Sequence, residues 1–184
     1  MSITIRWRLT IALLAAISIL GAALVVLLAL GLAGPPRVGV LRWQANSIMG
    51  WPTSQEGEVT VHTAPVHLGQ AFTLEITAAN SGPEDSAWGF QLLNAERPIT
   101  LLVSNDGYFS TFPYHPSWQE FLHIRPHDTN RLSLSVSADG QGIVRINDEI
   151  AHDSGIFDYA LEDWGIATYR DPHLTGLHIT LYHQ

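Results

Sequence analysis

Two stretches of this sequence combine aromatic rings with side chains that can hold hydroxyl groups. Tyr114, His115 and Trp118 fall in a proline-rich loop, and Tyr169-Arg170-Asp171-Pro172-His173 ends an extended run. An aromatic face lies well against the apolar side of a pyranose, while carboxylate, amide or guanidinium groups fix the hydroxyls around its rim. Tyr114, His115, Trp118, Tyr169, Arg170, Asp171 and His173 are therefore the candidate ligand-binding residues. A purely structural role competes for them: Trp118 would cap the end of a core, and Arg170 with Asp171 would form a surface pair of small energetic consequence.

Other chemistries find less support. Glycoside hydrolysis needs two carboxyl groups about 5–10 Å apart, one with a raised pKa, and the acids of this chain are scattered over loops. A serine hydrolase needs a strand-turn-helix nucleophile elbow, and no Gly-x-Ser-x-Gly motif occurs. There is no cysteine, which removes disulfides, thiolate metal ligands and a cysteine nucleophile together. His123 and His127 have the i, i+4 spacing by which helices hold zinc, but Pro126 and the surrounding pattern place them on a strand and a turn, where that spacing does not converge. No catalytic or metal-binding residue is assigned.

Charge narrows the partners. All nine basic residues are arginines, and Arg6 and Arg8 precede a long apolar segment. Beyond it stand seven arginines against 17 acids, a net charge of −10. Such a surface repels phosphate backbones, so nucleic acid is not an expected partner.

The elements that must position these residues begin with the apolar segment. No charged residue lies between Arg8 and Arg37, and Leu9 to Ala33 is almost wholly Leu, Ile, Val, Ala and Gly. A membrane-crossing helix needs roughly 20 apolar residues. Gly31-Leu32-Ala33 resembles a cleavage site, yet the apolar run exceeds the ~7–15 residues of a signal peptide's core. The expectation is an uncleaved anchor over residues 9–33 in contact with membrane lipid. Residues 1–8 then stay inside, and the arginines send everything after Gly34 to the far side. Residues 34–56 read as a linker with a first extended piece at Val38 to Trp43 and a loop from Gln44 to Gln55. Trp43 and Trp51, just past the span, read as interfacial anchors.

Residues 57–184 read as one domain of short alternating strands. Val59 and Val61 oppose Glu58, Thr60 and His62; Phe72, Leu74 and Ile76 oppose Thr73, Glu75 and Thr77. Trp88 to Leu92, Ile99 to Val103, Tyr108 to Phe112, Phe121 to Arg125, Trp164 to Tyr169 and Leu177 to Tyr182 follow, with Trp88 and Trp164 expected in the core. Asn105-Asp106-Gly107 is a strong hairpin turn. The clearest pattern is Asn130 to Ile150: Leu132, Leu134 and Val136 alternate with polar residues, Asp139-Gly140 turns the chain, and Asn147-Asp148 turns it again. The fold class expected is all-β, an antiparallel jelly-roll β-sandwich preceded by one transmembrane helix.

The Trp88 strand, the Asn105-Asp106-Gly107-Tyr108 hairpin, the Asn130-Arg131-Leu132 strand entry, the Asp139-Gly140 turn, Val144-Arg145-Ile146-Asn147 and Trp164-Gly165-Ile166 together resemble the concanavalin A-like lectin and glucanase superfamily. Within it, the chain looks similar to laminin-G-like and keto-disaccharide-hydrolase-like domains of bacterial surface proteins, over roughly Gly57 to Tyr182. The resemblance implies that the two asparagines are structural; Asn147-Asp148 departs from the usual Asn-Gly. Glucanase members of that superfamily carry two glutamates bracketing an aspartate on one strand, and no stretch here matches: Glu56-Gly57-Glu58 has no intervening aspartate, and Glu149 and Glu162-Asp163 stand in turns. Calcium, common in the loops of such sandwiches, would draw on Asp153, Asp158, Asp163 and Asp171, but no Asp-x-Asp array is present; no cofactor is expected.

The resulting expectation is a membrane-anchored, extracytoplasmic, non-catalytic binding or adhesion module with polysaccharide as partner. The alternatives are a divergent membrane-bound glycoside-processing enzyme and a structural domain that recognises another envelope protein.

Overall fold

The computed structural model describes residues 13–25, 39–93, 98–112, 115–156 and 163–183. The chain divides into two compact units, Met1–Pro36 and Arg37–Gln184. In the first, residues 13–25 are helical, with Leu13, Ile17, Leu20 and Leu24 among its exposed apolar side chains. No helix among the described residues is long and apolar enough to cross a membrane, and the remainder of the segment at 9–33 lies outside them.

The second unit is a two-sheet antiparallel β-sandwich of thirteen described strands: β1 (Val40–Ala45), β2 (Thr53–Glu56), β3 (Val59–Thr63), β4 (Phe72–Asn80), β5 (Ala87–Leu93), β6 (Ile99–Ser104), β7 (Tyr108–Phe112), β8 (His115–Glu120), β9 (Thr129–Val136), β10 (Gln141–Ile146), β11 (Glu149–Ile156), β12 (Asp163–Tyr169) and β13 (Leu174–His183). One sheet has the order β1-β13-β4-β9-β10-β11, the other β2-β3-β12-β5-β6-β7-β8. Alternation decides what each strand buries. Phe72, Leu74 and Ile76 of β4, Leu132, Leu134 and Val136 of β9, and Trp88, Phe90 and Leu92 of β5 meet in one core with Trp164 and Ile166 of β12.

Several expectations change here. The strand sought at Phe121 to Arg125 is a turn, and the chain is extended earlier, in β8. The segment Gln44 to Gln55 is not all loop: β1 pairs with β13 from Val40 to Ala45, and β2 pairs with β3. The sandwich therefore includes strands ahead of Gly57. Trp43 and Trp51 are not interfacial anchors but pack on Trp164, with ring centroids 5.8 Å apart between themselves and 6.2 Å from Trp164 in both cases. Trp164 is fully buried and its indole N–H donates to the Val66 carbonyl at 2.9 Å. Trp88 and Trp164 lie in the core as expected.

The Asn130 to Ile150 hairpins form with their turns in place. Asn147 and Asp148 both take positive φ, 49° and 75°, as a tight two-residue connection between β10 and β11 demands. The asparagines are structural. Asn147 Nδ2 donates to Asn130 Oδ1 at 2.7 Å and to the His123 carbonyl at 2.6 Å. Asn130 in turn accepts from the Arg125 amide and donates to the Arg125 carbonyl, both at 2.8 Å. These bonds pin the 121–130 turn to the hairpin, satisfying backbone groups that no ladder reaches.

Candidate functional site

The outer face of the seven-stranded sheet is built from small residues along its middle. The register aligns Tyr169 of β12 with Ala87 of β5, and Ala87 with Ser104 of β6; beside them run Ala167, Gly89 and Leu102. Glycine is required at position 89, because a Cβ there would collide with the Leu101 carbonyl of β6. β8 is four strands from β12, about 19 Å in a flat sheet, and the long side chains of Trp118 and Tyr169 reach toward each other across that span, bringing their ring centroids to 6.1 Å. The two aromatics close toward each other over a hollow.

That hollow is a cavity of about 270 Å³ lined by Asp85, Ser104, Asp106, Tyr108, Trp118, Tyr169 and Arg170. Ser104 is buried at its floor, whereas Tyr108 and Trp118 present rings to solvent, Trp118 at 39% exposure. Ser104 donates through Oγ to Asp106 Oδ1 and receives the Tyr108 amide at 3.1 Å, so the β6–β7 turn sets both the carboxylate and the ring. Arg170 closes the other side. It follows β12 in a left-handed conformation, φ 52°, with Asp171 at 56°. That turn swings its guanidinium back over the Tyr169 ring, 5.0 Å from the centroid, and onto Asp85 Oδ2 at 2.6 Å and Glu58 Oε2 at 3.6 Å. The hydrogen bond that Arg170 donates to Asp85 raises the Arg170 pKa, with smaller contributions from the neighbouring Tyr169 and Glu58. The Tyr169 phenol is held above its ordinary pKa chiefly by its hydrogen bond with Glu58.

Of the residues singled out from the sequence, the structure brings together Trp118, Tyr169 and Arg170. Asp171 points elsewhere: it is strongly exposed and lines a second cleft. His173 lies 3.8 Å from the Asp171 carboxylate, and its backbone amide donates to Asn80 Oδ1 at 3.0 Å. His115 begins β8 and pairs in register with Thr111, while Tyr114 lies outside the described residues. Trp118 does not cap the core; it stands on the outer face. Four lining residues were missed: Asp85, Ser104, Asp106 and Tyr108. Asp106 and Tyr108 were legible only as a hairpin turn, and no local signal marks Asp85, whose partner is 85 positions away.

The second cleft, about 690 Å³, opens at the edge where the inner side of β3 and β12 meets β13. Glu58, Thr60, His62, Thr168, Arg170, Asp171 and Leu177 are among its walls. Burial lowers the His62 pKa below its usual 6.5. For metals, no group of three His, Asp or Glu side chains gathers among the described residues. Of the acids considered for calcium, Asp163 is instead paired with His67 at 2.7 Å, and Asp158 lies outside the described residues.

No protein-family model matches this sequence, and no curated protein sequence matches it. Solved structures do share its shape. The apo form of the Crh5 transglycosylase aligns at a TM-score of 0.54, covering 81% of this chain and 88% of that one at 6% identity. The metal-free carbohydrate recognition domain of Emp46p aligns at 0.50, covering 72% of this chain and 86% of that one at 11% identity. Sheep galectin-11, in complex with glycerol, aligns at 0.47 over 65% of this chain and 96% of its own, at 14% identity.

Proposed function

We propose, from a concanavalin A-like fold whose outer sheet carries this pocket, that the chain is a non-catalytic carbohydrate-binding or adhesion module held at a membrane. One observation carries the reading: an exposed tryptophan faces a tyrosine at 6.1 Å beside a guanidinium and two carboxylates in one cavity. Rings of this kind shed water onto the C–H face of a sugar, and Asp106, Asp85 and Arg170 offer acceptors and donors to its hydroxyls. The likeness to a carbohydrate recognition domain supports the fold on which such a pocket sits.

The ligand test is a glycan array probed with the full chain in detergent micelles. Binding that disappears in Trp118→Ala and Tyr169→Ala is expected; no binding to any glycan by a folded chain sinks the reading. Release of reducing sugar from a bound polysaccharide would move the protein to the glycoside-processing class instead.

Anchoring rests on Leu9 to Ala33, an uncharged apolar run behind two arginines, with the N-terminus inside and the sandwich extracytoplasmic. The chain has no cysteine of its own, so a single Leu122→Cys, at a position 88% exposed, reports topology cleanly. A membrane-impermeant maleimide should label it on intact spheroplasts. Labelling only after lysis would reverse the proposed orientation.

A further inference from the structure

We infer, on the carbohydrate reading above, that the pocket takes the uncharged terminal sugar of a glycan and rejects both chain interiors and anionic sugars. Size is the first argument. At about 270 Å³ the pocket falls just under the ~300–1,000 Å³ that encloses drug-sized ligands, which leaves room for one sugar ring.

The shape of the sheet is the second argument. A polysaccharide crossing a concave face needs an open trough along it, with floor residues exposed on both sides of the bound ring. Here the trough beside the pocket is filled. Leu102 packs with Ala87 and Ala167, and Val59 and Tyr169 close over that cluster; Ala87 and Ala167 are fully buried and Leu102 is 6% exposed. Further along the same face Gln91, Thr100 and Ser110 are buried as well, and Gln91 Nε2 donates to Glu56 Oε2 of β2 at 3.3 Å. The Trp118–Tyr169 contact walls one end of the pocket and the Arg170–Asp85 ion pair another. A chain end can enter such a hollow, whereas a continuous chain cannot pass through it.

Charge is the third argument. Two carboxylates line the pocket against one guanidinium, and that guanidinium is already engaged by Asp85 and approached by Glu58. A uronate, sialate or sulfate would meet Asp106 and Asp85 with no uncommitted cation among the described lining residues. Neutral hydroxyls suit the same groups, because an ionised carboxylate only accepts hydrogen bonds. Asp106 is the residue that sets this preference without supporting Arg170.

The full chain in micelles is tested against oligosaccharides ending in glucose, galactose, mannose, fucose or N-acetylglucosamine, each with a sialylated, uronylated or sulfated counterpart. The methyl glycoside of each terminal sugar serves as competitor. Neutral termini should bind, their charged counterparts about tenfold more weakly or not at all, and the matching methyl glycoside should displace the oligosaccharide with a dissociation constant within about tenfold of it. Asp106→Asn should narrow the gap between charged and neutral ligands. Three outcomes overturn the inference while leaving carbohydrate binding intact: charged termini preferred, oligomers bound without competition by any methyl glycoside, or neutral binding unchanged in Trp118→Ala. No binding to any glycan by a chain whose circular dichroism is native overturns the functional reading itself.

Discussion

Two aromatic groups in this molecule have nearly the same internal geometry and opposite settings. Trp43, Trp51 and Trp164 hold their rings 5.8 to 6.2 Å apart; Trp118 and Tyr169 stand at 6.1 Å. The first group joins β1 of one sheet to β12 of the other and packs on the core, with Trp164 sealed and its N–H paired. The second lies on the outer face, flanked by Arg170, Asp85 and Asp106. Ring contact alone therefore does not separate structure from site. Burial and the company of charged groups do: a ring with no water to lose on ligand binding is committed to stability, while an exposed ring beside hydrogen-bonding groups still has apolar surface to cover.

The sharpest way to break this contrast is Trp164→Ala. Removing a fully buried indole from the junction of both sheets should cost about 3–5 kcal/mol, read as a large drop in the urea midpoint. A cost under about 1 kcal/mol would make the two groups equivalent. The polar counterpart is Asn147→Ala, which strips the bonds to His123, Asn130 and Arg131 and should cost about 1–3 kcal/mol. Trp118→Ala should fall at about 1 kcal/mol or less, the value of an exposed ring contact, while weakening glycan binding by at least about tenfold. Equal losses of stability from Trp118→Ala and Trp164→Ala would put both groups in the core.

The smallest expected effect is on pH dependence. Burial lowers the pKa of His62, and that of His183 is lowered by burial first and by the Arg42 charge second. Both imidazoles stay neutral in the folded chain to a lower pH than in the unfolded one, so the native state binds fewer protons. Stability is then full above 6.5 and declines as pH falls through 6.5 toward the depressed values. Thermal melts at pH 7.5 and pH 5 should show a modest loss on acidification, reduced in a His62→Gln variant.

Strands with one buried face were legible because alternation writes burial into the sequence, as in Leu132, Leu134 and Val136. Strands at the edges were not. β8 carries Pro116 and reads as loop, yet an edge strand tolerates proline because one side of its ladder is unpaired. β2 is exposed throughout and so has no apolar face to alternate. The same reasoning applies to the pocket. Trp118, Tyr169 and Arg170 stood out by chemistry alone, but Tyr108 and Asp106 were hidden in a turn signal, and Asp171 and His173 were grouped with Arg170 only by adjacency. The paired positive φ values at Arg170 and Asp171 turn the chain, so that Arg170 reaches both cavities while Asp171 lines only the second cleft.

The sequence by itself determined the all-β class, the central hairpins with their asparagine turns, the buried Trp88 and Trp164, and three of the pocket's lining residues, since period-two burial and turn chemistry are local. The tertiary structure alone decided that Trp118 of β8 meets Tyr169 of β12, that Asp85 closes on Arg170, and that Trp43 and Trp51 pack against the core. Those contacts depend on strand order, which joins residues far apart in sequence and leaves no periodic mark along it.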